Sequence, residues 1–144
     1  MLLQFGMGDP LSVTASIIAV LQLTGSVVKY LNDAKDASKD CNKFLIEIST
    51  VNGLLFSLKD LVGRAELGET WLATTRSLGV PTGPLAQFKS ALELLATRLE
   101  PVVGLKKAGK ALTWPFKKGE VVDILNTIER QKTLFVLALQ NDHM

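Results

Sequence analysis

The chain has 144 residues, 47% hydrophobic and only 6% aromatic, so Leu, Val, Ile and Ala must carry the packing of one domain with a substantial core. A net charge of +2 is too small to point to a nucleic-acid partner, and a single cysteine excludes a disulfide framework and fits a reducing compartment. Cys41 and His143 are the only residues of their types and lie far apart in sequence, which makes neither a structural zinc site nor a catalytic pair.

Residues 1–8 lack the basic start and the apolar length of a secretory signal. They read as a flexible tail or sequence added in cloning, and residues 143–144 as a tail or cloning scar. Residues 9–142 are left as the domain.

The first predicted helix starts at Asp9-Pro10 and ends near Asp33. Asp9 can cap its free N–H groups, and Pro10 suits the first helical position. From Pro10 to Val28 there are about 19 residues without a charge, close to the length that spans a bilayer. Val13, Ile17, Ile18, Val20, Leu21 and Leu23 point in most directions around the axis. A helix apolar nearly all round is buried in a core or enters lipid. Gly25 is a soft point or a site of close helix packing. Ser26-Val27-Val28-Lys29 fits a Ser-x-x-Lys pattern, but its companion motifs are absent.

The charged run 36–40 breaks the first helix or continues it exposed. The second helix follows with a seam of Phe44, Ile48, Val51, Leu55, Leu58 and Val62, widened by Leu45 and Leu54, and Gly63 lies near its end. Glu69 to Arg76 has the composition of a short extra helix, and Gly79, Pro81, Gly83 and Pro84 mark a loop. The third helix uses Leu85, Phe88, Leu92, Leu95, Leu99 and Val102, and meets Pro101 near its end. The fourth starts after Gly119 and uses Val121, Leu125, Ile128, Phe135 and Leu139, with Arg130-Gln131-Lys132 interrupting the apolar face. The prediction is an all-α fold, a four-helix bundle with the short extra helix between helices two and three.

The connector from Gly104 to Lys118 nearly matches a phosphate-binding loop, with Gly104, Gly109 and Lys110 in register. Ala111 stands where the magnesium-binding hydroxyl belongs, and no strand precedes it. Its lysines, Lys106, Lys107, Lys110, Lys117 and Lys118, with Trp114 and Phe116, are candidates for contact with anionic lipid heads. The competing reading has the rings plugging the bundle end and the lysines merely solvated. The carboxylates Glu93, Glu100, Glu120, Asp123 and Glu129 fall on solvated faces or beside Lys and Arg, and no Glu-x-x-His motif exists. The sequence offers no nucleophile, base and orienting group together, so no enzyme and no cofactor is expected.

The stretch from Asp9 to Leu23, Asp-Pro-Leu-Ser-Val-Thr-Ala-Ser-Ile-Ile-Ala-Val-Leu-Gln-Leu, resembles the start of the fungal HeLo-like N-terminal domains. Residues 112–120, 128–132 and 137–142 extend the likeness over nearly the whole chain. Such domains stand before the NTPase and repeats of fungal STAND proteins, the NOD-like receptor relatives. They are similar to HeLo incompatibility domains and to the four-helix bundle of the mixed-lineage kinase domain-like pseudokinase. The resemblance implies a cytoplasmic cell-death effector that self-associates, moves to the plasma membrane and permeabilises it through its first helix. Leu11, Val13, Ile17, Ile18, Val20, Leu21, Leu23, Val27 and Val28 are then the insertion candidates. The alternative is a protein-docking and oligomerisation module without membrane activity.

Overall fold

The computed structural model of the protein describes residues 10–66 and 78–142. They form four long helices: α1 (Pro10–Asp33), α2 (Asp40–Glu66), α3 (Pro84–Lys107) and α4 (Lys118–Asp142). No strand occurs among the described residues, and the helices pack as a four-helix bundle. Residues 1–9, the Glu69–Arg76 segment and residues 143–144 lie outside the described residues. So do the Asp9 cap and His143.

The boundaries follow local chemistry. The charged run after α1 breaks the helix into a single tight turn, Lys35–Ala37. Ser38 is extended, and its hydroxyl accepts the Asp40 N–H at 3.1 Å, an N-cap for α2. Gly83 is also extended, and Pro84 takes the first position of α3, where a missing N–H costs nothing. Two residues that disfavour helix lie inside these helices, near their ends as the sequence places them. α2 runs through Gly63 to Glu66, and α3 runs through Pro101 to Lys107. Pro101 removes one helical hydrogen bond, but the apolar seam continues beyond it in Val102 and Val103, both buried.

Each helix contributes one buried seam. In α2 and α3 every predicted seam residue is buried to 4% exposure or less. In α1 the expectation of apolar residues without a stripe is corrected. Val13, Ile17, Val20, Thr24, Val27, Leu31 and Ala34 are all buried, and their spacing alternates four and three. Thr24 hides this pattern in the sequence. Its hydroxyl is satisfied within the helix, donating to the Val20 carbonyl at 2.7 Å. In α4 the seam is Val121, Ile124, Ile128, Gln131, Phe135 and Ala138, with Leu125 and Leu139 on its flank. Gln131 does not interrupt the buried face; it is part of it. Its Nε2 donates to Gln87 Oε1 of α3 at 3.0 Å, while its own Oε1 is buried without a partner.

Around the bundle the order is α1, α2, α4, α3. The α3–α4 pair is antiparallel, since Gln87 meets Gln131 and Arg98 meets Glu120. The α2–α4 pair is parallel: Glu47 meets Lys132, and grooves between them join Ile46 with Leu125 and Leu54 with Leu137. α1 and α3 are also parallel, with Ser16 near Leu85 and the Asp33 carbonyl accepting from Lys106 at 2.9 Å. α1 therefore lies diagonal to α4. α2 and α3, consecutive in sequence, are likewise diagonal.

Cys41 sits at the tight α1–α2 end, fully buried, with its thiol donating to the Ala34 carbonyl at 3.4 Å. Burial, and then the Asp40 charge, push its pKa up to about 11. The folded thiol is thus a worse acid than the unfolded one. Stability from this group is present below pH 9 and is lost as pH rises from 9 towards 11. A thiol reagent at pH 8 is expected to label Cys41 only after denaturant is added. Labelling of the native protein at the rate of a free thiol would refute that burial.

Candidate functional site

The two regions marked by sequence are the uncharged helix α1 and the basic connector between α3 and α4. The structure sets them at different places on the bundle.

In α1 the insertion candidates divide by burial. Val13, Ile17, Val20 and Val27 are core residues; Leu21, Leu23 and Val28 are half-buried against that core; Ile18 is 38% exposed. Leu11 lies in α1, and its side chain is outside the described residues. The outer side of the helix is formed by Ala15, Ile18, Ala19, Gln22, Gly25 and Ser26, and no charge appears there until Lys29. Val13–Asp33 is long and apolar enough to cross a membrane, yet only 28% of its most apolar stretch is buried in the bundle. Ser26 and Lys29 of the Ser-x-x-Lys match are both exposed on this outer side.

Gly25 faces open space: a Cβ there would meet nothing within 4 Å. It is not a site of close helix packing. Gly25→Ala is expected to stabilise the bundle by about 0.5–1 kcal/mol, through lower backbone entropy in the unfolded chain. That is a rise in Tm of about 2–4 °C by differential scanning calorimetry. A fall in Tm would mean that this position has a packing partner.

The connector closes the opposite end of the bundle from the start of α1. The phosphate-loop match fails on backbone geometry. Gly104 to Lys107 are helical, and Gly109 takes the left-handed conformation (φ 73°) that ends α3. The N–H groups of Ala108, Gly109 and Lys110 donate back to the carbonyls of Gly104, Lys106 and Leu105. This is a Schellman closure, and it leaves those amides unavailable to a phosphate.

The connector aromatics pack inward. Phe116 is buried, and Trp114 is half-buried against the core. Their ring centroids are 5.2 Å apart, and Phe44 of α2 lies 6.3 Å from Trp114 and 6.1 Å from Phe116. In this state the two rings form a plug, not an exposed lipid contact. Trp114 Nε1 is buried with no hydrogen-bond partner, a desolvation cost of about 1–3 kcal/mol.

Charges fix the plug from outside. The Arg98 guanidinium lies 5.4 Å from the Phe116 ring centroid, bonds Glu120 at 2.6 Å and donates to the Pro115 carbonyl at 3.4 Å. Glu120 also accepts the Lys117 N–H at 3.0 Å, which caps α4. That backbone bond, and then Arg98, hold the Glu120 carboxyl below its ordinary pKa. Lys107, Lys110, Lys117 and Lys118 are exposed, and Lys106 is exposed while tied to the last turn of α1.

Sequence reasoning passed over the Lys132 network. Lys132 bonds Glu129 at 2.7 Å and Glu47 at 2.9 Å, joining α4 to α2. Glu129, then Glu47, raise the Lys132 pKa, and Lys132 in turn lowers that of Glu129. The i,i+3 pair was visible in the sequence; the bond to Glu47 was not, because nothing local puts α2 beside α4. Among the described residues no group of three His, Cys, Asp or Glu could hold a metal ion.

No family model, curated protein or solved structure matches the chain.

Proposed function

We propose that this domain is a membrane-permeabilising effector of regulated cell death, standing at the front of a fungal NOD-like receptor-type protein. The reading joins the sequence resemblance to one structural observation. The solvent side of α1 carries no charge from Ala15 to Ser26, although most of that stretch is outside the core. A bundle helix gains solubility from a charged outer face. An uncharged one loses little on transfer to lipid, where its seam and its outer side are both accommodated.

The mechanism is a bistable bundle. In the resting state the α1 seam is buried against α2 and α3. Self-association at a membrane offers α1 an environment of similar polarity, so differential affinity shifts the population. The connector lysines attract anionic headgroups, on the order of 1 kcal/mol each near the surface. Trp114 would gain there the hydrogen-bond partner that its Nε1–H lacks in the bundle, since indoles favour the headgroup level. Localisation is then cytoplasmic at rest and plasma-membrane after activation, with the trigger supplied by following NTPase and repeat domains.

A second reading is a protein-docking module without membrane activity. Its support is the unbroken α1 seam, which anchors this helix to two neighbours at once.

Dye release separates the two. The domain, fused to an inducible clustering tag, is added to vesicles with and without phosphatidylserine. Leakage that requires both clustering and anionic lipid is expected. No leakage from folded, demonstrably clustered protein would overturn the effector reading in favour of docking.

A further inference from the structure

One side chain joins α1 to the basic end of α3. Lys106, in the last turn of α3, donates from Nζ to the Asp33 carbonyl at 2.9 Å, although the two residues are 73 apart in sequence. Asp33 ends α1, where a carbonyl has no acceptor role left within the helix. The last turn of α1 has no basic residue to offset its negative end, and Asp33 adds a carboxylate of the same sign. Lys106 supplies that cation from a different helix. The closure of α3 holds it there, since the Lys106 carbonyl accepts the Gly109 N–H at 3.0 Å. Lys106 is nevertheless exposed, as are Lys107 and Lys110 after it, and among the described residues only Lys106 of these three bonds α1.

We infer that Lys106 is a strap that holds the end of α1 in the bundle, and that an anionic headgroup phosphate releases it. The strap rests on the lipid contact within the reading above, and adds how that contact reaches α1. A phosphate drawn to Lys106 in its strapped position would also lie against the negative end of α1 and Asp33, and be repelled by both. The ammonium therefore serves the headgroup or the Asp33 carbonyl, not both together. Lipid at the connector loosens α1, and by linkage the release of α1 frees a lysine for lipid. Lys107 and Lys110 add attraction; Lys106 adds coupling.

Cys41 reads the end of α1 directly. It is the only cysteine, and its buried thiol donates to the carbonyl of Ala34, the residue after Asp33. The initial rate of its labelling by an uncharged maleimide is measured in urea well below the unfolding midpoint. The domain is tested alone and with phosphatidylcholine vesicles, with and without phosphatidylserine. Lys106→Met keeps the apolar stem and removes the charge. Without vesicles it is expected to label about two- to fivefold faster than wild type. Phosphatidylserine vesicles are expected to speed the wild type by a similar factor and to leave Lys106→Met unchanged; phosphatidylcholine alone is expected to do neither. Lys132→Met breaks a link between α2 and α4 instead, and is expected to label at the wild-type rate without vesicles. Wild-type labelling of Lys106→Met without vesicles would overturn the strap, as would equal acceleration in Lys132→Met. Release by headgroups would be overturned by phosphatidylserine vesicles that leave the wild-type rate unchanged, or that speed Lys106→Met as much as wild type. Leakage from the tag-clustered domain is a separate readout: if the strap fails there while leakage persists, the effector reading stands without it.

Discussion

Ile18→Asp is expected to fold and Ile17→Asp to unfold, although the residues are neighbours in one apolar run. Ile17 is fully buried in the α1 seam, and Ile18 is 38% exposed. A carboxylate at Ile17 would be buried with no partner, a change that costs about 4–5 kcal/mol or more. That is about a third of the stability of a robust domain and nearly all of that of a marginal one. A carboxylate at Ile18 can stay in water, and the bundle is expected to lose less than about 1 kcal/mol. The membrane state reverses that tolerance. An aspartate near the middle of an inserted helix opposes insertion by about 2.5–3.5 kcal/mol, or roughly 70- to 370-fold in population. Ile18→Asp is therefore the informative variant. Circular dichroism and a urea midpoint near wild type, with leakage abolished, are the expected results. Full leakage from folded, clustered Ile18→Asp would mean that α1 does not enter the bilayer.

That contrast shows what hydropathy alone leaves out. The bounds of α1 and the seams of α2 and α3 were legible because Pro10, Pro84 and an alternating three-four spacing act locally. The α1 seam was not, for two reasons. Thr24 occupies a seam position, where its hydroxyl is satisfied by the Val20 carbonyl, and Ile18, Leu21, Leu23 and Val28 are apolar off the seam. In α4, Gln131 misled for the same reason: a buried amide paired with Gln87 looks, in sequence, like a break in the apolar face. Pro101 is a helix breaker by propensity, and the buried Val102 and Val103 beyond it carry α3 on. The order of helices around the bundle was not legible at all. It depends on Arg98 meeting Glu120 and Lys132 meeting Glu47, pairs with no local signature. Of the candidate site, the sequence marked α1 and the connector. It raised both an exposed and a plugging arrangement of the connector rings, and the choice between them depends on Phe44 from another helix.

Phe44→Ala is expected to cost about 3–5 kcal/mol, the largest loss among the aromatic positions of the plug. Phe44 is fully buried and meets both connector rings, so truncation removes its own transfer energy and opens a cavity beneath Trp114 and Phe116. Collapse into that cavity is restricted, because Arg98 holds Phe116 and the Pro115 carbonyl from outside. Urea unfolding measures the loss, with Phe56→Ala as the control. Phe56 is 51% exposed, and its truncation is expected to cost less than about 1 kcal/mol. Emission from Trp114, in a Trp71→Phe background, is expected to shift to the red in native buffer as the indole loses its cover. The functional consequence runs opposite to stability. If the connector reaches headgroups only after the rings leave the core, Phe44→Ala lowers the cost of that step. Leakage at limiting clustering is then expected to rise, provided that the variant remains folded at the assay temperature. A stability loss below about 1 kcal/mol would mean that the rings do not depend on Phe44. A normal stability loss with unchanged leakage would mean that the connector stays closed while the membrane is breached, leaving α1 to act alone.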